Sequence, residues 1–99
     1  MSEFVISSRY ANALLSIADE KETFDRVLKD IYFIYNTLKD SKELRNFLAN
    51  PIISSSDKLT ALNELFKDHI NSDLNNFLNL LLEKGRENLL FDICKRFIV

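Results

Sequence analysis

Residues Thr23–Lys39 read TFDRVLKDIYFIYNTLK, and this stretch decides the fold class. Phe24, Val27, Leu28, Ile31, Ile34, Tyr35 and Leu38 recur at i, i+3, i+4 and i+7 spacing, the period of one helix face. Asp25, Arg26, Lys29, Asp30, Asn36 and Lys39 fall largely on the other face. Thr23 stands where a cap belongs, and Asp25 lies in the first turn, where the helix dipole favours an acid. Phe33 points to the polar side and is the one misfit, which the periodicity does not explain; contact with a further, C-terminal domain is one reading of it.

Helical periodicity continues on both sides. Upstream, Ser7 or Ser8 to Ala18 carries Tyr10, Ala11, Ala13, Leu14, Leu15, Ile17 and Ala18. These cover roughly 200° of the circumference, more than the stripe of somewhat over 100° that one core needs. Downstream, Ser41–Ala49 turns Leu44, Phe47 and Leu48 inward and stops at Pro51, because the residue before a proline avoids the helical region. A fourth helix opens at Ser54-Ser55-Ser56-Asp57, with capping-box spacing between Ser54 and Asp57, and presents Leu59, Leu62, Leu65 and Phe66. A fifth starts after Ser72 or Asp73 and ends at Gly85, the only glycine, which suits a left-handed helix cap. The sixth begins near Asn88 and carries Leu89, Leu90, Ile93, Phe97 and Ile98. The links are a few residues long, as between antiparallel helices. The expectation is an all-α fold, a single six-helix bundle forming one domain over residues 1–99. Apolar residues run to Val99 without a cap, as in a domain cut from a longer protein.

Composition agrees. One Gly and one Pro in 99 residues disfavour hairpin stacks, sandwiches and barrels, which need turn punctuation. A formal net charge of −2, with the two signs interspersed, gives no basis for wrapping a phosphate backbone, so no nucleic-acid partner is expected. No apolar run approaches the ~20 residues of a membrane span, so direct membrane insertion is not expected. The N-terminus, Met1 to Ile6, lacks the basic start and apolar run of a secretory signal. A lone cysteine, Cys94, makes no internal disulfide and reads as a small core residue.

A catalytic reading finds little support. His69 is the only histidine, near the end of the fourth helix, where a cation suits the terminal carbonyls. No Cys or His pair marks a metal site, and one glycine cannot build a phosphate-cradling loop. Asp19, Glu20 and Glu22 read as a solvated helix end, and Tyr10, Tyr32 and Tyr35 as packing residues. No catalytic residue, metal or cofactor is expected, and a domain this small is expected to act through its surface.

Four motifs carry a family resemblance. Arg9-Tyr10-Ala11-Asn12-Ala13-Leu14 resembles the Arg-Tyr-Ala-x-Ala-Leu signature of the delta subunit (oligomycin-sensitivity-conferring) family of F-type ATP synthases. Leu44 to Pro51 is similar to that family's Leu-x-x-Phe-Leu-x-Asn-Pro, followed by Ile53-Ser54 and Lys58. Asn76-Phe77-Leu78-x-Leu80-Leu81 then Glu83-Lys84-Gly85-Arg86 resembles Asn-Phe-Leu-x-Leu-Leu-x-Glu-Asn-Gly-Arg, with Lys84 in place of the usual Asn. Leu89-Leu90-x-x-Ile93 also fits, and the Met1-Ser2-Glu3-Phe4 start is similar to bacterial members.

The resemblance implies a non-catalytic stator domain. It implies that the N-terminal helix of an alpha subunit docks in a groove between the first and fifth helices, holding the catalytic head while ATP synthesis is coupled to proton transport. A C-terminal domain, absent here, would join the b subunits of the peripheral stalk. The location implied is the cytoplasmic face of the bacterial plasma membrane, or the matrix or stromal side in an organelle, as a peripheral subunit. The apolar surplus of the first helix, and Leu80 and Leu82 flanking Leu74, Phe77, Leu78 and Leu81 on the fifth, agree with such a groove. The residues assigned to face the partner are Tyr10, Ala13, Leu14 and Ile17 on the first helix and Asn75, Leu78, Asn79 and Leu82 on the fifth, with Arg86 to pair with a partner acid. The isolated 99 residues are expected to be monomeric. The surplus also fits an unrelated helical adaptor or homodimerisation module, which would self-associate instead.

Overall fold

A computed structural model describes residues 2–99; Met1, part of the N-terminal motif above, lies outside the described residues. Six α-helices follow one another: α1 (Glu3–Glu20), α2 (Phe24–Lys39), α3 (Lys42–Ala49), α4 (Ser55–Phe66), α5 (Ser72–Glu83) and α6 (Leu90–Ile98). Single 3₁₀ turns at Lys67–His69 and Glu87–Leu89 lead out of α4 and into α6. The fold is all-α, and no strand occurs among the described residues.

Local chemistry sets the boundaries. Three helices are capped by a serine whose hydroxyl accepts an orphan amide of the first turn: Ser2 from Val5, Ser41 from Leu44 and Ser54 from Asp57. Asn71 caps α5, accepting from Asp73 and Leu74. Helix α1 therefore starts earlier than Ser7 or Ser8. Ser7 is fully buried inside the helix, and the cap is Ser2 with Glu3 in the first turn. The α1–α2 turn passes through Glu22, whose φ of 57° is left-handed. Helix α5 ends as the glycine predicts: Gly85 has φ +69°, and the Arg86 amide donates back to the Leu81 carbonyl at 2.8 Å. A Cβ at Gly85 would meet nothing within 4 Å, so the constraint there is the backbone angle alone.

The core is one cluster. From α2, Val27, Ile31, Ile34 and Leu38 are buried, the inner half of the stripe read from the sequence. They meet Ala11, Leu14 and Ala18 of α1, Leu62 and Phe66 of α4, five residues of α5, and Leu90, Ile93, Cys94 and Phe97 of α6. Helix α6 packs against both α1 and α2, and α4 against α5. Burial pushes the Cys94 thiol up to about 12, which keeps it protonated and unreactive. Phe33, the misfit of α2, lays its edge on the buried Phe66 ring at 5.6 Å, while its other side stays exposed.

Two polar ties hold the layers in register. Asp30 was assigned to the outer face of α2, yet it is buried: it accepts from Arg26 Nε at 2.8 Å and from the Asn71 amide at 2.7 Å, joining α2 to the start of α5. Lys58, in the first turn of α4, donates to Glu87 Oε2 at 3.0 Å with both side chains nearly inaccessible. That pair fixes the loop after α5, and with it the position of Arg86.

Candidate docking surface

Helices α1 and α5 run antiparallel along one side of the molecule. The end of α1 meets the start of α5 through Lys21 Nζ and Asp73 Oδ1 at 2.9 Å. Further along, the Tyr10 ring meets Phe77 edge-on, centroids 6.0 Å apart. Where α5 gives way to its loop, the Arg86 guanidinium lies 5.8 Å from the centre of the Tyr10 ring. The shallow channel between the helices is thus closed at one end by an ion pair and bounded at the other by an arginine over an aromatic ring.

Helix geometry says which side chains border it. At about 100° per residue, Ile6, Tyr10, Ala13 and Ile17 fall within about 60° of one another on the flank of α1 nearest α5. Ile6 and Tyr10 are half-buried, Ala13 is exposed, and Ile17 keeps 37% of its surface in solvent. On α5 the same arithmetic groups Asp73, Phe77 and Leu80 on the flank facing α1, and Leu80 is 39% exposed. At the Arg86 end, Ile6, Arg9, Tyr10 and Ala13 of α1 line a concavity of about 240 Å³ together with Arg86.

This arrangement redraws the face assigned from the sequence. Tyr10, Ala13, Ile17 and Arg86 border the channel. Leu14, Leu78 and Leu82 belong to the core, with 0%, 1% and 5% exposure, and offer a docking partner nothing in this conformation. Asn75 and Asn79 share with Leu82 the opposite flank of α5, where Asn79 and Leu82 line a concavity of about 300 Å³ with Ser55, Ser56 and Leu59 of α4. The physical reason is that α5 is packed on two sides. Its apolar arc, read as surplus, is used up by α4 on one edge and by α1 and the centre on the other. Ile6 and Asp73 also border the channel, outside the residues assigned from the sequence, while Phe77 and Leu80, read there only as part of the apolar arc of the fifth helix, lie on its α5 side. The Leu80 signal was present, since a leucine on the polar side of an amphipathic helix has no core to fill.

Larger concavities exist elsewhere. One of about 660 Å³ lies over Phe33, Tyr32, Leu65 and His69, and another of about 470 Å³ adjoins it at Leu65 and reaches Leu44 and Phe47. The first lies between α2 and the end of α4, and the second among α2, α3 and α4. No group of three or more His, Cys, Asp or Glu able to hold a metal occurs among the described residues. No helix of the described residues is long and apolar enough to cross a membrane. His69 ends the 3₁₀ turn after α4, and its ring stands edge-to-face with that of Phe33, centroids 6.2 Å apart.

Fold and surface together define a small all-helical domain whose distinctive feature is an apolar channel between two antiparallel helices. Residues 6–99 match the family described as ATP synthase delta (OSCP) subunit, and the chain belongs to that family. It is 37% identical over 93 residues to ATP synthase subunit delta of Brevibacillus brevis, covering 94% of this chain and 53% of that protein. It is 37% identical over 99 residues to the subunit delta of Chlorobium luteolum, covering 100% of this chain and 55% of that protein. The subunit delta of Christiangramia forsetii matches at 37% over 93 residues, 94% of this chain and 50% of that protein. The chain spans about half the length of the curated relatives it matches.

Proposed function

We propose that these residues form a non-catalytic docking domain of a rotary ATP synthase stator, binding the N-terminal helix of an alpha subunit in the channel between α1 and α5. The observation that carries the reading is the stripe of Ile6, Tyr10, Ala13 and Ile17, each partly in solvent, facing the 39% exposed Leu80 across the buried Phe77 ring. An amphipathic helix presenting i, i+3, i+4, i+7 anchors fits such a stripe. The small Ala13 side chain lets a partner backbone come close.

The role is mechanical. Torque on the catalytic head must be resisted by a stator, and this domain would clamp the head from outside while a C-terminal domain, absent from these residues, grips the b subunits of the peripheral stalk. The domain would sit on the cytoplasmic side of a bacterial plasma membrane, or its organelle equivalent, held there by partners. No active site is required of it. Apolar burial contributes about 25 cal/mol per Å² of covered surface, and ordering a free peptide takes back about 2–5 kcal/mol. An isolated alpha-subunit helix should therefore bind weakly, with the intact assembly relying on several contacts at once.

Calorimetric titration with a peptide of about the first 20 residues of the alpha subunit tests this. Saturable one-to-one binding that weakens more than tenfold in Ile17→Asp, with the fold intact, supports the channel. Self-association of the chain without peptide binding would favour a homodimerisation module instead.

A further inference from the structure

We infer that the buried Lys58–Glu87 pair is a conformational lock: it holds the turn after α5 in the one arrangement that lays the Arg86 guanidinium over the Tyr10 ring. The inference stands on the fold alone and goes beyond the docking role, since it concerns how the domain sets Arg86 whether or not a partner is bound.

The pair is a poor source of stability. Both side chains are withdrawn from water, with 4% and 9% of their surfaces exposed. Lys58 Nζ meets Glu87 Oε2 at 3.0 Å, while Oε1 is buried with no donor. Lys58 also lies in the first turn of α4, where the helix dipole opposes a cation. Taking two charges out of water costs about as much as their attraction returns, so an apolar pair of similar volume would hold α4 against the turn at least as firmly. What an apolar pair lacks is direction. An ammonium and a carboxylate joined by one short contact, 29 positions apart in the chain, admit one placement of the turn, whereas two apolar chains can slide past each other.

The turn needs such a tie. Helix α5 ends at Glu83, and the chain re-enters the core at Leu89 and Leu90. Between them Lys84, Gly85 and Asn88 are exposed and Arg86 is half-buried; Glu87 alone sends a side chain inward. Gly85, the residue type with the most backbone freedom, immediately precedes Arg86. The Arg86 amide donates to the Leu81 carbonyl at 2.8 Å, which fixes the turn on the α5 side, and Glu87 fixes it on the α4 side. Arg86 makes no ion pair among the described residues. Its guanidinium, 5.8 Å from the Tyr10 ring centre on a half-exposed surface, gains too little there to set the turn by itself. Placement therefore runs from α4 to α1: Lys58 sets Glu87, Glu87 sets Arg86, and Arg86 reaches Tyr10.

The test compares the 99-residue chain with its Lys58→Met, Glu87→Met double variant by urea unfolding and NMR. The unfolding midpoint of the double variant should stay near that of the wild type. Hydrogen exchange at the Arg86 amide should nevertheless quicken about tenfold or more, while the buried α2 amides of Ile31 and Ile34 keep their rates. The Arg86 side-chain protons, shifted by the Tyr10 ring in the wild type, should move toward their positions in a Tyr10→Leu variant, which has no ring to shift them. Unchanged exchange and unchanged Arg86 shifts in the double variant would mean that Gly85 and Leu89 set the turn unaided, and would overturn the inference. A midpoint that falls as far as in Lys58→Met alone would overturn it too, because the pair would then be a source of stability. Neither readout involves a partner, so either failure leaves the docking role untouched, and failure of the peptide to bind leaves the lock untouched.

Discussion

Replacing Lys58 by Met should destabilise the domain far more than a change at a lysine ordinarily does. Lys58 lies in the first turn of α4, where the helix dipole opposes a cation, and its side chain is only 4% exposed. It is held there by Glu87, 9% exposed, at 3.0 Å, and the second Glu87 oxygen, Oε1, is buried without a partner. Met keeps most of the aliphatic volume, so the loss is electrostatic: a buried carboxylate is left with no counter-charge. Breaking such a pair from one side costs about 3–5 kcal/mol, a large share of the about 5–15 kcal/mol that holds a small domain together. Removing both charges, Lys58→Met with Glu87→Met, should recover most of the loss, because two apolar side chains of similar length need no counter-ion. The assay is urea unfolding followed by circular dichroism on the wild type, both single variants and the double variant, read as a double-mutant cycle. If Lys58→Met costs less than about 1 kcal/mol, the pair is effectively solvated and the loop carrying Arg86 is not anchored as described.

Four further outcomes follow from burial. Leu14→Ala should cost about 2–5 kcal/mol in the same unfolding assay, because Leu14 is fully enclosed and its loss leaves a cavity. Ile17→Ala, one turn on and 37% exposed, should change stability by no more than about 1 kcal/mol while measurably weakening the peptide titration. Cys94 should react with an aromatic disulfide reagent slowly in the folded chain and promptly once urea unfolds it. With that thiol raised from 9.0 to about 12, the folded state holds its proton where the unfolded state releases it. Stability should therefore fall as pH climbs above about 9 toward 12, and substitution of Cys94 by Ala should flatten that alkaline slope.

Helix number, order and class were legible because the apolar period of each segment and its punctuation agree. Pro51, Ser54 and Gly85 end or begin elements where such residues must. The first helix was read four or five residues short because Ser7 and Ser8 look like caps. Only burial shows that Ser7 is an interior residue and that Ser2, with Glu3 behind it, does the capping. The candidate surface was half legible. On α1 the excess of apolar arc splits into a core edge, Leu14, and a channel edge, Ile6, Tyr10, Ala13 and Ile17, and periodicity locates the arc without saying where the split falls. On α5 the same arc is claimed by α4, a neighbour that adjoins it in space through a contact no period encodes. Buried charge was not legible at all. Asp30 reads as one more residue of a polar face, and its role appears only when the Asn71 amide, 41 positions away, arrives to donate to it. Lys58 and Glu87, 29 positions apart, pose the same problem.

The measurement that bears most directly on the docking role is the map of amide shift changes across the chain as the alpha-subunit peptide is added to saturation. The account predicts changes concentrated at Ile6–Lys21 and at Asp73, Asn76, Phe77, Leu80 and Arg86, with Asn75, Asn79 and the surface around Phe33, Leu65 and His69 unmoved. Changes centred instead on Phe33, Leu65 and His69, or on the α4–α5 depression at Asn79, would place the partner on another face and contradict it.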